Sequence, residues 1–318
     1  MTSLFRDATG PRLGSSASIV CIGAFDGVHL GHQQLLQHVR QRARSFAADF
    51  VAVSFEPLPR EFFRRDGPVA RLSSARQKFE LLADAGVDRV GLLRFNRRLA
   101  ETTAEDFVRD LLVARLQARE VWVGPEFRFG HQRRGDIDLL RRLGAQHGFT
   151  AEAISGAEWQ GERISSSRIR AALQADDLAA AAALLGRDFS IAGRVVHGLK
   201  LGRTLGYPTA NIPLGGRHPP VKWIYAVRVS GGGLSNWPSV ASLGTRPTIA
   251  GRELLLEAHL FDFNGDLYGK RLVVAFVQKL RDEVRFDNLE ALVVQMNIDA
   301  EQARAVLAPR TMAGEGES

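Results

Sequence analysis

The chain has 318 residues, 45% hydrophobic and 24% charged, with one cysteine and a formal net charge of +7. That length allows about two domains with cores of their own, and the balance is that of an ordinary globular protein. The lone Cys21 excludes an internal disulfide, and no apolar run approaches the roughly 18 residues of a membrane span.

The segment 1–16 is polar with Gly and Pro and is expected to be a loose lead-in, without the apolar core of a signal peptide. Apolar runs at Ile19–Ile22, Phe50–Phe55, Arg89–Leu93, Glu120–Val123 and Phe149–Ile154 read as strands. Helical spacing between them predicts helices over Gln33–Phe46, Ser74–Ala85, Ala104–Leu116, Ile137–His147 and Ser166–Leu185. The alternation predicts a doubly wound parallel α/β sheet over 17–186, with ligand outside the C-terminal strand ends.

The first such end carries Gly23-Ala24-Phe25-Asp26-Gly27-Val28-His29-Leu30-Gly31-His32. A strand, a glycine-rich turn and a helix start form an elbow whose N–H groups favour anions. His29 and His32 are spaced to share a helix face, where imidazoles can donate to a nucleotide phosphate as charge builds on it. Zinc ligation is disfavoured because no third ligand lies nearby, whereas helix capping by either histidine stays open. The spacing fits neither a Walker A loop nor the dinucleotide fingerprint. Phe55-Glu56-Pro57 falls at another strand end, and Gly124-Pro125-Glu126-Phe127-Arg128-Phe129-Gly130 can cover a flat ring or serve as a connecting loop with an aromatic plug. Ile164-Ser165-Ser166-Ser167-Arg168-Ile169-Arg170 supplies hydroxyls, helix-start N–H groups and guanidinium forks, a second phosphate cradle unless it is a plain serine cap.

After Gly186 the rhythm changes. Short β-like segments at Ile191–Val196, Ile224–Val229, Val240–Leu243, Leu254–Phe261 and Leu272–Leu280, punctuated by Gly, Pro and Asn, predict a small antiparallel barrel over 187–308. Helical spacing returns over 288–307, and 309–318 is expected to be a disordered tail. Thr209 and Asn211 alternate on one face of an extended segment, so both oxygens can reach one hard cation such as Mg²⁺, though a turn would use the same residues. Glu257 sits in an apolar strand, where a carboxylate is costly unless paired or functional, and is a candidate general base.

Together these motifs resemble the bifunctional bacterial riboflavin kinase/FAD synthetase family over about residues 18–305. The N-terminal markers are Gly23–His32, Phe55-Glu56-Pro57, Phe127-Arg128-Phe129-Gly130 and Ile164–Arg170. The C-terminal markers are Gly202-Arg203-Thr204-Leu205-Gly206-Tyr207-Pro208-Thr209-Ala210-Asn211, Gly244-Thr245-Arg246-Pro247-Thr248, Glu257–Leu260 and Asp266-Leu267-Tyr268-Gly269. The resemblance implies that the barrel phosphorylates riboflavin with MgATP to give FMN, and that the α/β domain joins FMN to AMP to give FAD and pyrophosphate. It implies catalytic roles for His29, His32 and Glu257, and nucleotide contacts at Gly23, Phe25, Asp26, Gly27, Gly31, Ser165, Ser166, Arg168, Arg170, Gly202, Gly206 and Thr209. It further implies flavin contacts at Phe55, Pro57, Glu126, Phe127, Arg128 and Phe129, with Mg²⁺ at Thr209 and Asn211. Two positions depart from the family pattern: Glu126, where Asp or Asn is common, and Trp223 before Ile224-Tyr225, where Gly is usual.

The partners implied are riboflavin, FMN and ATP, with no nucleic acid and no membrane, in a cytoplasmic setting suited to a free cysteine. The rival readings are a nucleotidyltransferase of another substrate with a flavin-binding barrel, and an Arg-rich nucleic-acid-binding protein. The basic residues are nearly all Arg, spread along the chain and mixed with acids, so charge alone is weak support for the latter.

Overall fold

In the computed structural model, residues 1–64, 67–198, 202, 205–248 and 251–308 are described. The tail 309–318 and the motif residues Arg203 and Thr204 lie outside them. The chain divides into two compact units: Met1–Ile169 with Ala183–Gly186, and Arg170–Ala182 with Arg187–Ser318. The division falls inside the helix Ser166–Gln174.

The first unit is built on six parallel strands: β1 (Ser3–Phe5), β2 (Ser18–Ile22), β3 (Asp49–Glu56), β4 (Arg89–Arg94), β5 (Ala118–Val123) and β6 (Thr150–Ala153). Their order is β1-β4-β3-β2-β5-β6. All five β2 residues are buried because both sheet faces are covered. Ile19 and Cys21 join one apolar cluster with Leu35, Leu36 and Val39 of α1 (Leu30–Ser45). Val20 and Ile22 join the opposite cluster with Phe107, Leu111 and Leu140. The chain runs from β2 to β3 and β4 on one side, then returns to β5 on the other, so the crevice for a ligand opens at the end of β2. Gly23 stands there.

Residues 1–16 are not wholly a loose lead-in. Ser3–Phe5 pairs with Arg89–Gly91 as a parallel edge strand. The anchor is Phe5, which is buried and lies over Gly91, where a Cβ would stand 2.5 Å from the Phe5 ring. One apolar residue in a three-residue strand leaves no periodicity to read.

The helix expected over Ser166–Leu185 is two helices, Ser166–Gln174 and Leu178–Leu185. Asp176 takes a left-handed φ of 60° between them, and Asp177 Oδ1 caps the second by accepting from Ala180 N at 2.8 Å. The segment Ala104–Leu116 likewise splits into a short α turn (Ala104–Asp106) and a π-helix (Phe107–Arg115).

The second unit is an antiparallel six-stranded sheet, nearly closed into a barrel. Its strands are β9 (Ser190–Arg194), β10 (Thr209–Pro213), β11 (Trp223–Gly231), β12 (Leu234–Thr248), β13 (Gly251–Leu260) and β14 (Arg271–Arg281), numbered after a two-strand hairpin of β7 (Glu158–Trp159) and β8 (Glu162–Arg163) in the first unit. The order is β10-β13-β12-β11-β14-β9. A bridge from Val196 N to the Asn211 carbonyl at 2.9 Å brings the two ends together. The C-terminal helix Leu289–Leu307 is capped by Asn288, which accepts from Ala291 N at 2.8 Å, and it packs Ala303 and Leu307 against Ala226 and Phe261.

Candidate active sites

In the first unit, β2 ends at Ile22 and the chain turns through Gly23–Val28 into α1. Phe25 (φ 47°), Gly27 (φ 82°) and Val28 (φ 41°) all take left-handed backbone. Such strain in two non-glycine residues persists only where the surroundings hold it. Phe25 and Val28 are buried, and Asp26 is 1% exposed. The Asp26 carboxylate accepts from Leu72 N and Ser73 N, both at 3.1 Å, from Ser73 Oγ at 3.3 Å and from Arg60 at 3.1 Å. Gly27 N donates to Ser73 Oγ at 3.1 Å. Asp26 therefore fixes the elbow to the loop 70–73 rather than presenting a free carboxylate.

His29 is the N-cap of α1 and accepts from His32 N through Nδ1 at 3.4 Å. With Nδ1 as acceptor, the ring proton of the neutral imidazole resides on Nε2. The cap and the catalytic reading are thus compatible, because one nitrogen caps and the other can donate to a phosphate. The two imidazoles stack with centroids 3.7 Å apart, and Phe25 meets His32 edge-on at 5.1 Å. Burial holds His32 well below the usual histidine range, and the neighbouring His29, Lys78 and Arg163 deepen the effect. His32 is therefore neutral near pH 7, and its Nδ1 is buried without a hydrogen-bond partner.

The two sequence cradles meet. Ser166 Oγ donates to the Asp26 carbonyl at 3.0 Å, tying the start of the helix Ser166–Gln174 to the elbow. A Cβ at Gly31 would meet the Ile164 carbonyl at 3.6 Å and the His29 ring at 3.4 Å, both ordinary contacts, so this approach does not itself demand glycine there. Ser165 Oγ accepts from Arg168 N at 3.3 Å and so acts as a cap. Arg168 turns to the β7–β8 hairpin, donating to the carbonyls of Trp159 at 3.0 Å and Glu162 at 2.9 Å. Arg170 is buried and groups with the second unit.

Phe55, at the end of β3, packs edge-on against Phe95 at 5.8 Å, with Pro57 exposed beyond it. Phe129 is buried in the core beside Phe107, and the Phe127 ring stacks on it at 5.4 Å. Phe129 is thus the aromatic plug of this loop, and the half-buried Phe127 is its outward ring. Glu126 is exposed and pairs with Arg163 at 3.0 Å, while Arg128 pairs with Asp136 at 3.2 Å. Arg163 and the buried Lys78 are the charged neighbours of His32 that sequence reading missed. Arg163 adjoins the serine motif, but nothing in the spacing directs it toward the histidines.

In the second unit, strand register assembles the other centre. Asn211 lies opposite Glu257, and Glu257 opposite Ser242. Thr209 lies opposite His259, and His259 opposite Val240. The period of two puts all of these on one face. They line a cavity of about 380 Å³ that is otherwise largely apolar, with Leu205, Ile224, Leu292 and Met296 in its wall. That volume suits a flat heteroaromatic ligand. Asn211 is 6% exposed; its Nδ2 donates to the Thr209 carbonyl at 3.1 Å, while its Oδ1 is buried without a hydrogen-bond partner. An orphaned amide oxygen beside a threonine hydroxyl and a carboxylate fits the oxygen-donor set of Mg²⁺. Gly206 takes φ 85°, and Gly202 faces the Tyr207 carbonyl so closely that a Cβ would lie 2.3 Å from it. Both glycines thus shape the loop entering β10.

Trp223, the departure noted above, has φ 89° and is half-buried. A bulky side chain there bears strain that glycine would not.

A glycine-rich elbow with two stacked histidines on a parallel α/β sheet, followed by a barrel with a carboxylate and oxygen donors around an apolar cavity, marks a two-centre nucleotide-dependent transferase. The sequence matches the FAD synthetase family over residues 14–168 and the riboflavin kinase family over residues 185–307. It is 49% identical to the bifunctional riboflavin kinase/FMN adenylyltransferase of Pseudomonas fluorescens, covering 92% of this chain and 93% of that protein. The protein of the same description from Escherichia coli K12 is 46% identical over 90% and 91% of the two chains. The chain belongs to the bifunctional riboflavin kinase/FMN adenylyltransferase family. A solved structure described as a macrolide-efflux protein from Streptococcus pneumoniae shares the fold, with a TM-score of 0.79 and 29% identity over 95% of this chain and 98% of that one. Among the described residues, no helix is long and apolar enough to cross a membrane.

Proposed function

We propose that this chain makes FMN at the barrel and FAD at the elbow, with the residue roles that follow. The observation that carries the barrel assignment is the convergence of Thr209, Asn211 and Glu257 from adjacent strands on one flavin-sized cavity. Glu257 accepts the proton of the terminal ribityl hydroxyl as its oxygen attacks the γ-phosphorus of ATP; the bond to the β-phosphate oxygen breaks and ADP leaves. Thr209 and Asn211 would hold Mg²⁺ with the ATP phosphates, and the ion would neutralise charge as the phosphoryl group transfers. Most of the acceleration comes from positioning and charge neutralisation.

At the elbow, a phosphate oxygen of FMN attacks the α-phosphorus of a second ATP and pyrophosphate leaves. The attacking group is already an anion, so no strong base is required. His29 and His32 donate to the α-phosphate as charge develops, a role that suits a neutral His32. Ser166 and the helix start beneath it support the pyrophosphate end. Phe127 and Phe55 offer ring faces to the flavin. The buried Cys21 suits a reducing, cytoplasmic setting.

The test is a product time course of the full chain with riboflavin and MgATP. FMN accumulates first and FAD follows; a chain that consumes no riboflavin, or forms FAD only from added FMN, contradicts the two-step reading.

A further inference from the structure

Lys78 has no role in either reaction as written, yet its side chain is 0% exposed. It projects from the helix Ala75–Asp84, and its Nζ donates to Ser54 Oγ at 3.1 Å and to the Phe55 carbonyl at 3.2 Å. The Glu56 carboxylate lies 3.7 Å away. Ser54 Oγ donates onward to the Ala24 carbonyl at 2.9 Å. A single buried hydroxyl therefore links the ammonium to the elbow, while its second hydrogen bond holds the end of β3.

The surrounding charges join the same elements. Arg71 pairs with Glu56 and, at 3.1 Å, with Glu61, and Glu61 accepts from Leu58 N at 2.8 Å. Asp26 holds the neighbouring Leu72 and Ser73 amides. Burying an ammonium is costly unless it is paired and hydrogen-bonded. An apolar side chain would fill this volume without that cost. What the amine adds is a connection between the histidine elbow and Phe55, the ring at the flavin-side end of β3.

We propose that Lys78 is a positioning residue for adenylyl transfer, its ammonium fixing the Phe55–Glu56 end of β3 to the histidine elbow. This rests on the assignment of that centre to FMN adenylylation.

The neutral amine keeps two N–H donors, enough for Ser54 Oγ and the Phe55 carbonyl, so what the proton adds is the third donor and the attraction to Glu56 that tightens the end of β3. Burial pushes the Lys78 amine down to about 8, aided by Arg71 and opposed by Glu56, Asp26 and Glu61. The groups facing it are Glu56 from β3, Glu61 from the helix Pro59–Phe63, Arg71 from the loop before the Lys78 helix, and Asp26 and His32 from the elbow. Of these, His32 is already neutral near this pH.

The experiment measures FAD formation from FMN and MgATP by the full chain from about pH 6.5 to about pH 9.5, with FMN formation from riboflavin as the internal control. In the wild type, FAD formation falls on the alkaline side with a midpoint near 8. Lys78→Met lowers the neutral-pH rate about tenfold, abolishes that alkaline limb and leaves FMN formation unchanged. A Lys78→Met chain with the wild-type rate, or with its alkaline limb intact, overturns the proposal. If Lys78→Met loses both activities, Ser54→Ala decides, because it cuts the link to Ala24 without removing a charge. A severalfold loss of FAD formation with FMN formation intact supports the role, and an unchanged rate overturns it. A wild-type chain that makes no FAD overturns the underlying assignment and the positioning role with it, a result distinct from a loss confined to the variants.

Discussion

Replacing Gly198 with alanine tests, through one atom, the kinase centre proposed at Asn211. A Cβ at Gly198 would lie 2.7 Å from Asn211 Nδ2 and 2.8 Å from Asn211 Cγ and Oδ1. Ordinary contact begins at 3.4 Å, so the amide must retreat by about 0.7 Å, from 3.4 minus 2.7. Asn211 has little room to do so, being 6% exposed and tied to the Thr209 carbonyl at 3.1 Å. A displacement near 1 Å of a group that orients a reacting phosphate costs up to about 100-fold in rate. Gly198→Ala is therefore expected to lower FMN formation from riboflavin and MgATP by roughly 10- to 100-fold. The same preparation, given FMN and MgATP, should form FAD at the wild-type rate, showing that the chain is folded. FMN formation within about twofold of wild type would refute the positioning argument for Asn211.

Two further predictions concern the elbow. Asp26→Ala leaves the Leu72 and Ser73 amides without this acceptor, at a residue only 1% exposed, so thermal unfolding should show a loss of about 3 kcal/mol. His32 is depressed below its unfolded value, so the unfolded chain binds more protons as pH falls below about 6.5. Its share of stability is complete above that pH and is lost on acidification. Chemical unfolding at stepped pH should therefore show a shallower acid loss in His32→Gln than in the wild type.

The parts of the fold with repeated patterns were legible: the βα rhythm, the elbow after β2 and the change to short strands after Gly186. Parts set by a single contact were not. Ser3–Phe5 joins the sheet through Phe5 over Gly91. The Asp176-Asp177 pair did carry a stop-and-cap signal, but it was submerged in a run of alanines. In the kinase centre, Thr209 and Asn211 announced themselves by alternation, whereas their register against Glu257 is a tertiary fact. Arg168 shows the reverse: a residue type suited to phosphate whose fork instead holds hairpin carbonyls. Lys78 had no signal, because a lysine in an amphipathic helix reads as solvated until the sheet beneath it is seen. At Trp223, where glycine is usual, the reason appears only in the backbone, with its φ of 89°.

The separation of two chemistries in one chain is the central claim, and a pair of variants tests it most directly. His29→Ala with His32→Ala should abolish FAD formation and leave FMN formation from riboflavin at the wild-type rate. Glu257→Gln should lower FMN formation by about 100-fold or more while FAD still forms from supplied FMN. If either variant loses both products, or neither, the assignment of one reaction to the elbow and the other to the barrel is contradicted.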